Sequence, residues 1–419
     1  MTSRSIVRPV LASLLVLSLV AASGGAAAQS SKKDAKPQGP TVSKAVLKQL
    51  QAAQAAIKDQ KWADCLSALA STDAVPDKPP YDQFAVYELR TVCAARNNDL
   101  ATAEPALAKG LELGLANGFV TEDARKQRLR QLTQVNYQLK DYRRAADFGR
   151  RSGEAEPGNK DIRLLTAQSL YLIPDNAAAA AYIEPWVAEL ESRKEAPPEL
   201  ALDLWQSACV RAKDDACTRR AVEKEVAHAP DAEAWGNLYL LTMRDSPPEQ
   251  NLNVMRFAYE VGALDEGEDV LEYASLALEK GFPGESQTVL EAAVTAGKFG
   301  GPGKTTPGVA NLLQQAKDSA SPDRASLSRQ AKDAAAQKTG VAEVRLGQAY
   351  LSYGQAAEAA ASIERGIAKG GLRAPDEASL ALGVARLKAG DKAGAVTALD
   401  SVKEPFLARL AGYWKLLAR

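Results

Sequence analysis

The feature that most limits what this chain can fold into is a recurrence. Between residues 341 and 402 one helix-turn-helix pattern occurs twice. The first copy, VAEVRLGQAYLSYGQAAEAAASIERGIAKGG, carries Leu346, Gly347 and Tyr350 in its first helix and Ala359 and Ile363 in its second. The second copy, EASLALGVARLKAGDKAGAVTALDSV, repeats the order with Leu382, Gly383, Ala395 and Leu399. In both, the Gly precedes the Ala by 12 residues, and the copies lie 36 residues apart. Antiparallel helices joined by a short turn approach closely only where a side chain nearly vanishes. A Gly opposite an Ala is therefore a packing position, despite the roughly 1 kcal/mol that Gly costs inside a helix. A period of this length belongs to stacked units, each covering the apolar face of the next, rather than to one globular core.

The spacing recurs toward the N-terminus. Ala53 and Cys65, Thr91 and Ala103, Thr133 and Ala145, Ala167 and Ala179, and Ala274 and Ser286 are each 12 residues apart, and Ala145 to Ala179 is a step of 34. Glu156-Pro157-Gly158-Asn159 closes the unit over 125–159, where Pro stops one helix and sets up the next. From 198 to 265 only helical period and breakers guide the reading, which pairs helices over 205–210 and 219–229 and over 232–243 and 250–261. The two copies over 341–402 resemble the tetratricopeptide repeat (TPR), whose pattern has a Leu-Gly pair and Tyr in the first helix, Ala and an apolar residue in the second, and often a closing Pro. The resemblance implies an all-α superhelical array of antiparallel helix pairs, a TPR-like α-solenoid, and a role in binding proteins or peptides. Composition agrees with helix, since Ala is abundant, β-branched runs are scarce and aromatics make up 6%.

The organisation expected along the chain has six parts. Residues 1–28 read as a signal peptide: Arg4 and Arg8 at the positive start, an apolar run from Val10 to Ala22, and Ala26-Ala27-Ala28 as an A-x-A site before Gln29. An uncleaved anchor is the rival reading, but the apolar run is shorter than the roughly 20 residues of a spanning helix. No Cys lies near the cleavage point to take a lipid. Residues 29–41 are polar and without apolar period, and read as a disordered linker. A TPR-like array is expected over 42–300 and a linker or insertion with short helices, 311–320 and 324–337, over 301–340. Two repeats follow over 341–402, and then a capping helix over 403–419 that carries Phe406, Leu410, Trp414 and Leu417 on one face. The expected location is periplasmic or secreted, with no stable membrane insertion after cleavage.

Charge excludes one large class of partner. Lys plus Arg and Asp plus Glu are 52 each, and loss of the segment with Arg4 and Arg8 leaves 50 against 52. Such balance argues against nucleic acid or an anionic membrane as a mainly electrostatic partner.

Candidate chemistry is sparse. KFGGPGKT, from Lys298 to Thr305, looks like the end of a phosphate-binding loop, but Lys298 stands where the first Gly is required and Pro307 interrupts the helix that should follow. His228 is the only histidine and sits beside Ala-Pro-Asp at a helix end, where a solvated or C-terminal charge is commoner than catalysis. Without CxxC or a second His, a zinc site is unsupported. Paired acids such as Asp214-Asp215 and Glu266-Gly267-Glu268-Asp269 fall at turns or helix starts, where they cap helices. No cofactor and no enzymatic activity are expected.

The cysteines are Cys65, Cys93, Cys209 and Cys217, and an exported chain permits disulfides, in three possible connectivities. The repeat register favours Cys65 with Cys93 and Cys209 with Cys217, against buried free thiols. Gln134 and Tyr137 recur as Gln168 and Tyr171, 34 residues on, and Gln348 holds the corresponding place near the C-terminus. With Arg130 and Gln138 these form the expected partner-binding groove, on first helices and away from the packing positions Ala145, Ala179, Gly347, Ala359, Gly383 and Ala395. Members of the resembled family that grip a C-terminal carboxylate use Lys, Asn and Arg there; Gln134 departs from that set, so the specificity does not carry over. The function expected is a scaffold or assembly factor of the bacterial cell envelope that binds a peptide or protein. An envelope polysaccharide or cell-wall polymer is the alternative partner, and an enzyme of unrecognised type is a third reading.

Overall fold

The computed structural model describes residues 40–418, all helix, turn and loop, with no strand among them. The expected signal peptide and nearly all of the polar lead lie outside the described residues. In chain order the helices are α1 (Lys44–Lys58), α2 (Trp62–Ala70), α3 (Pro80–Arg96), α4 (Leu100–Ala116), α5 (Glu122–Gln138), α6 (Tyr142–Ala155), α7 (Lys160–Leu172), α8 (Asn176–Ser192) and α9 (Glu199–Ala212). They continue with α10 (Asp215–His228), α11 (Ala232–Arg244), α12 (Asn251–Glu260), α13 (Gly267–Glu279), α14 (Pro283–Ala296), α15 (Pro307–Ala336), α16 (Val341–Ser352), α17 (Ala356–Lys369), α18 (Pro375–Lys388), α19 (Lys392–Asp400) and α20 (Pro405–Leu416). A single 3-10 turn, Pro248–Gln250, leads into α12. The chain divides into two compact units, 1–212 and 213–419, with the boundary between α9 and α10.

The hairpins follow from turn chemistry. Asn98, Lys140 and Gly390 adopt the left-handed conformation, with φ of 58, 61 and 85°. Each is followed by an Asp that caps the next helix: Asp99, Asp141 and Asp391 accept from the backbone N–H groups of Thr102, Arg144 and Gly394 at 2.8–3.1 Å. One reversed residue and one cap turn the chain through an antiparallel corner and satisfy an otherwise orphaned helix donor. At the interfaces, both members of all seven pairs spaced by 12 residues are buried, from Ala53 and Cys65 to Gly383 and Ala395. A methyl group added to Gly347 would meet Ile363 Cγ1 at 2.3 Å and the Ala359 carbonyl oxygen at 2.9 Å, so the helices touch where the side chain is missing.

In the first unit, α1 to α3 enclose a core that contains Val46, Leu50, Leu69 and Leu89. Inside it, Cys65 and Cys93 form a disulfide across 28 residues. No described cysteine is free, and Cys209 and Cys217 are disulfide-bonded as well.

The second unit differs from a row of repeats with a plain end cap. Its helices return on themselves. Phe257 of α12 packs edge-on against Trp414 of α20 at 5.4 Å, Tyr413 of α20 donates to Glu223 of α10 at 2.7 Å, and Gln250 donates to Glu377 of α18 at 2.7 Å. One apolar core accordingly runs from Val222 to Trp414. The face expected of the last helix is present, with Phe406, Leu410 and Trp414 buried, but it covers the beginning of the unit as well as its end.

The segment 301–340 also departs from expectation. It is not a linker with two short helices but one helix of 30 residues, α15, which runs through Pro322. An interior Pro removes one helical bond and costs about 3 kcal/mol. Here Ala316, Ala320, Leu327 and Ala334 form a buried stripe that packs the helix between α14 and α16. The Tyr353 hydroxyl donates to the Ala320 carbonyl at 3.1 Å and to the Asp323 carboxylate at 2.7 Å, one on each side of the Pro.

Candidate functional site

Closure of the second unit leaves a cavity of about 290 Å³ among α12, α13, α14, α16, α18 and α20. Val289, Leu351, Leu380, Val384 and Trp414 supply apolar wall, and Tyr259, Tyr273 and Tyr353 supply aromatic rings. The volume sits at the lower end of the roughly 300–1,000 Å³ typical of ligand pockets.

Its floor is a buried polar network. Arg256 of α12 grips Glu285 of α14 with two parallel bonds, Nε to Oε1 at 2.8 Å and Nη2 to Oε2 at 2.6 Å. Only 21% and 12% of these side chains are exposed, which makes the pairing obligatory. The Tyr273 hydroxyl donates to the same carboxylate at 2.5 Å, and the Arg256 guanidinium stacks over the Phe282 ring at 4.6 Å. Arg256 also donates to Asn253 at 3.3 Å, which donates to Gln250 at 2.8 Å and so connects the floor to Glu377. Burial works against the charge on both members of the ion pair. The opposing charge and the hydrogen bonds overcome it, so Arg256 titrates above and Glu285 below its ordinary range. Burial first, and then the neighbouring Glu285 carboxylate, push the Tyr273 phenol well above its ordinary value. At the α12 and α18 wall, Lys388 pairs with Glu260.

Of the residues expected to form a groove, Gln348 lines this cavity. Its amide and the Tyr259 hydroxyl make no hydrogen bond to any described residue. The other six belong to the first unit. Arg130 holds Glu156 with bonds of 2.5 and 2.6 Å, a tie within its own helix pair. Gln134 and Gln168 are half-buried and Gln138 is exposed. The Tyr137 ring meets Tyr142 edge-on at 5.5 Å, and burial, with Tyr142 second, raises its phenol pKa. Tyr171 lies under the Arg211 guanidinium, 4.1 Å from the ring centroid.

Sequence reasoning missed Arg256, Glu285 and Tyr273. A signal for the first existed: Val254-Met255-Arg256-Phe257-Ala258 sets one cation inside an apolar helical run. A broader signal was the recurrence of Arg with an acid 26 residues on. Arg130 with Glu156, Arg163 with Glu189 and Arg219 with Asp245 all form ion pairs. Among the described residues no group of three or more His, Cys, Asp or Glu side chains could hold a metal ion, and no helix is long and apolar enough to cross a membrane.

No protein-family profile matches the chain, and no curated protein does. Among solved structures, a chain of the Naa15/Naa10 complex bound to HypK-THB is 15% identical, with 88% of this chain aligned to 65% of that one at a TM-score of 0.33. This chain therefore spans less than two thirds of that relative's length. The C-terminal part of a TPR repeat-containing protein from Cytophaga hutchinsonii is 12% identical over 63% of this chain and 99% of its own, at 0.30. The P58(IPK) TPR domain is 15% identical over 89% and 98%, at 0.22. The fold assignment rests on the helix pairs themselves. The described residues form an all-α array of antiparallel helix pairs, TPR-like in period and packing, with a ligand-sized cavity in the second unit.

Proposed function

We propose that this protein is a non-enzymatic scaffold or assembly factor of the bacterial cell envelope, and that it seats a peptide segment of a partner protein in the cavity of residues 213–419. The observation that carries the reading is the wall of that cavity: apolar and aromatic side chains surround ion pairs that are already closed, which suits binding better than acid-base chemistry. The envelope location rests on residues 1–28, read as a cleaved export signal. A photo-crosslinking p-benzoylphenylalanine at Val384, in protein exported by cells, is expected to yield one dominant protein adduct. The reading fails if adducts are as diffuse as those from the same probe at exposed Arg150. N-terminal sequencing of the exported chain is expected to begin at Gln29, and full-length protein retained in the cytosol would remove the envelope from the proposal. The alternative partner, an envelope polymer, would rest on the recurrence of Gln134 and Tyr137 as Gln168 and Tyr171. Arg211 over the face of Tyr171 weakens it, because that face is then closed to a sugar ring.

A further inference from the structure

Four charged side chains line the cavity, and they form two closed pairs: Arg256 with Glu285 on the floor, and Lys388 with Glu260 on the wall. An entering anion or cation would have to break the buried Arg256–Glu285 pair, compete for the partly exposed Lys388–Glu260 pair, or stay unpaired, and an unpaired charge withdrawn from water is strongly disfavoured. Two uncharged polar groups are in the opposite state, while Asn253, Tyr273, Thr288, Ser352 and Tyr353 of the lining are already hydrogen-bonded. The Gln348 amide, with both a donor and an acceptor, and the Tyr259 hydroxyl line the same space without a hydrogen-bond partner among the described residues. Around them stand Leu351, Leu380, Val384 and Trp414, which gain by covering apolar surface.

We propose that the cavity is a subsite for one bulky, uncharged apolar side chain of the partner peptide, with Gln348 bonding that residue's own backbone amide and the closed ion pairs turning charged segments away. This rests on the peptide reading given above. The donor and acceptor of an amide side chain match the acceptor and donor of a peptide group, and a free carboxylate offers only acceptors.

The test uses the full chain titrated calorimetrically with three probes: N-acetyl-phenylalaninamide, the carboxylate N-acetyl-phenylalanine, and N-acetylglucosamine. The amide is expected to bind at least tenfold more tightly than the carboxylate, and Gln348→Ala to weaken the amide at least fivefold. Gln348 makes no hydrogen bond to any described residue, so this variant tests recognition without removing a bond of the fold. Glu260→Gln leaves Lys388 uncompensated at a partly exposed site and is expected to narrow the preference for the amide over the carboxylate. The inference is overturned if wild-type protein binds the carboxylate as tightly as the amide, if Gln348→Ala binds the amide unchanged, or if N-acetylglucosamine binds more tightly than either. A protein adduct from Val384 without selectivity among the probes sinks this inference and leaves the peptide reading standing; loss of both sinks both.

Discussion

The same chemical change, Gly to Ala inside a helix, is expected to have opposite signs at two positions of the second unit. At Gly412 of α20 an added methyl group meets nothing within 4 Å. Only backbone propensity acts there, and Gly412→Ala should stabilise by about 1 kcal/mol. At Gly347 the methyl would lie 2.3 Å from Ile363 Cγ1 and 2.9 Å from the Ala359 carbonyl oxygen. The carbonyl belongs to a helix and cannot turn away, so an overpacking cost of about 2–3 kcal/mol exceeds the same propensity gain, for a net loss of about 1–2 kcal/mol. For a unit of this size each kcal/mol moves Tm by about 2–4 °C, so the two variants should melt roughly 4–12 °C apart, on either side of wild type. Gly383→Ala should cost less than Gly347→Ala, because the nearest atoms, at 2.5 and 2.6 Å, are the flexible end of Leu399. Gly340→Ala should cost most, since its methyl would fall 1.7 Å from the backbone oxygen of Gly366. Calorimetry of the full chain reads all four in the transition of the same unit. If Gly347→Ala and Gly412→Ala shift that transition in the same direction, the close-approach argument is wrong.

Three further predictions concern the buried links. Cys93→Ser opens a 28-residue disulfide loop and should lower the stability of the first unit by about 3–4 kcal/mol on the chain-entropy account, and reducing agent should lower wild type by that much more than it lowers the variant, which keeps only the bonds of Cys209 and Cys217. Arg128→Met leaves the carboxylate of Glu88, 7% exposed, without its ion-pair partner and should cost about 3–5 kcal/mol; Arg128→Met with Glu88→Leu should recover most of it, and equal losses in single and double variants would show that the pair's charge is not the reason. Glu343 has a depressed folded pKa: burial alone would raise it, but hydrogen bonds from Arg365, Lys369 and Ser362 prevail. Its contribution is therefore complete above the unfolded value of about 4.3 and lost as pH falls through the lower folded value, so wild-type stability should fall toward that of Glu343→Gln on acidification, and a constant gap down to about pH 3 would contradict this.

What the sequence disclosed is what sterics fix within one hairpin. Gly347 and Ala359 must be small because two neighbouring helices meet there, so the spacing recurs along the chain with Thr133 and Ser286 among the residues that fill the two positions. Cys65 and Cys93 sit in successive units at buried interface positions, and the repeat register alone brought them near each other. Arg130, expected in the groove from its place on a first helix, has a structural part as well: an Arg whose acid lies 26 residues on, at the end of the second helix, ties its own hairpin together. Arg163 with Glu189 does the same for α7 and α8, and Arg219 with Asp245 joins α10 to the end of α11.

The cavity was hidden because it depends on contacts that no period encodes. A solenoid repeat specifies its neighbour, so stacking can be read from one unit to the next. Closure of 213–419 depends instead on single meetings at long range: Gln250 with Glu377 is 127 residues apart, and Tyr413 with Glu223 is 190. Such meetings leave a weaker trace, a residue whose character is wrong for its local pattern. Arg256 is one, a cation set between Met255 and Phe257, and it is tolerable there only because Glu285 arrives from the next helix pair. Trp414 is another, a large ring on what reads as an end cap that is buried against Phe257. Residues that fit the repeat hold it together, and those that break its pattern mark where the unit closes and where the cavity forms.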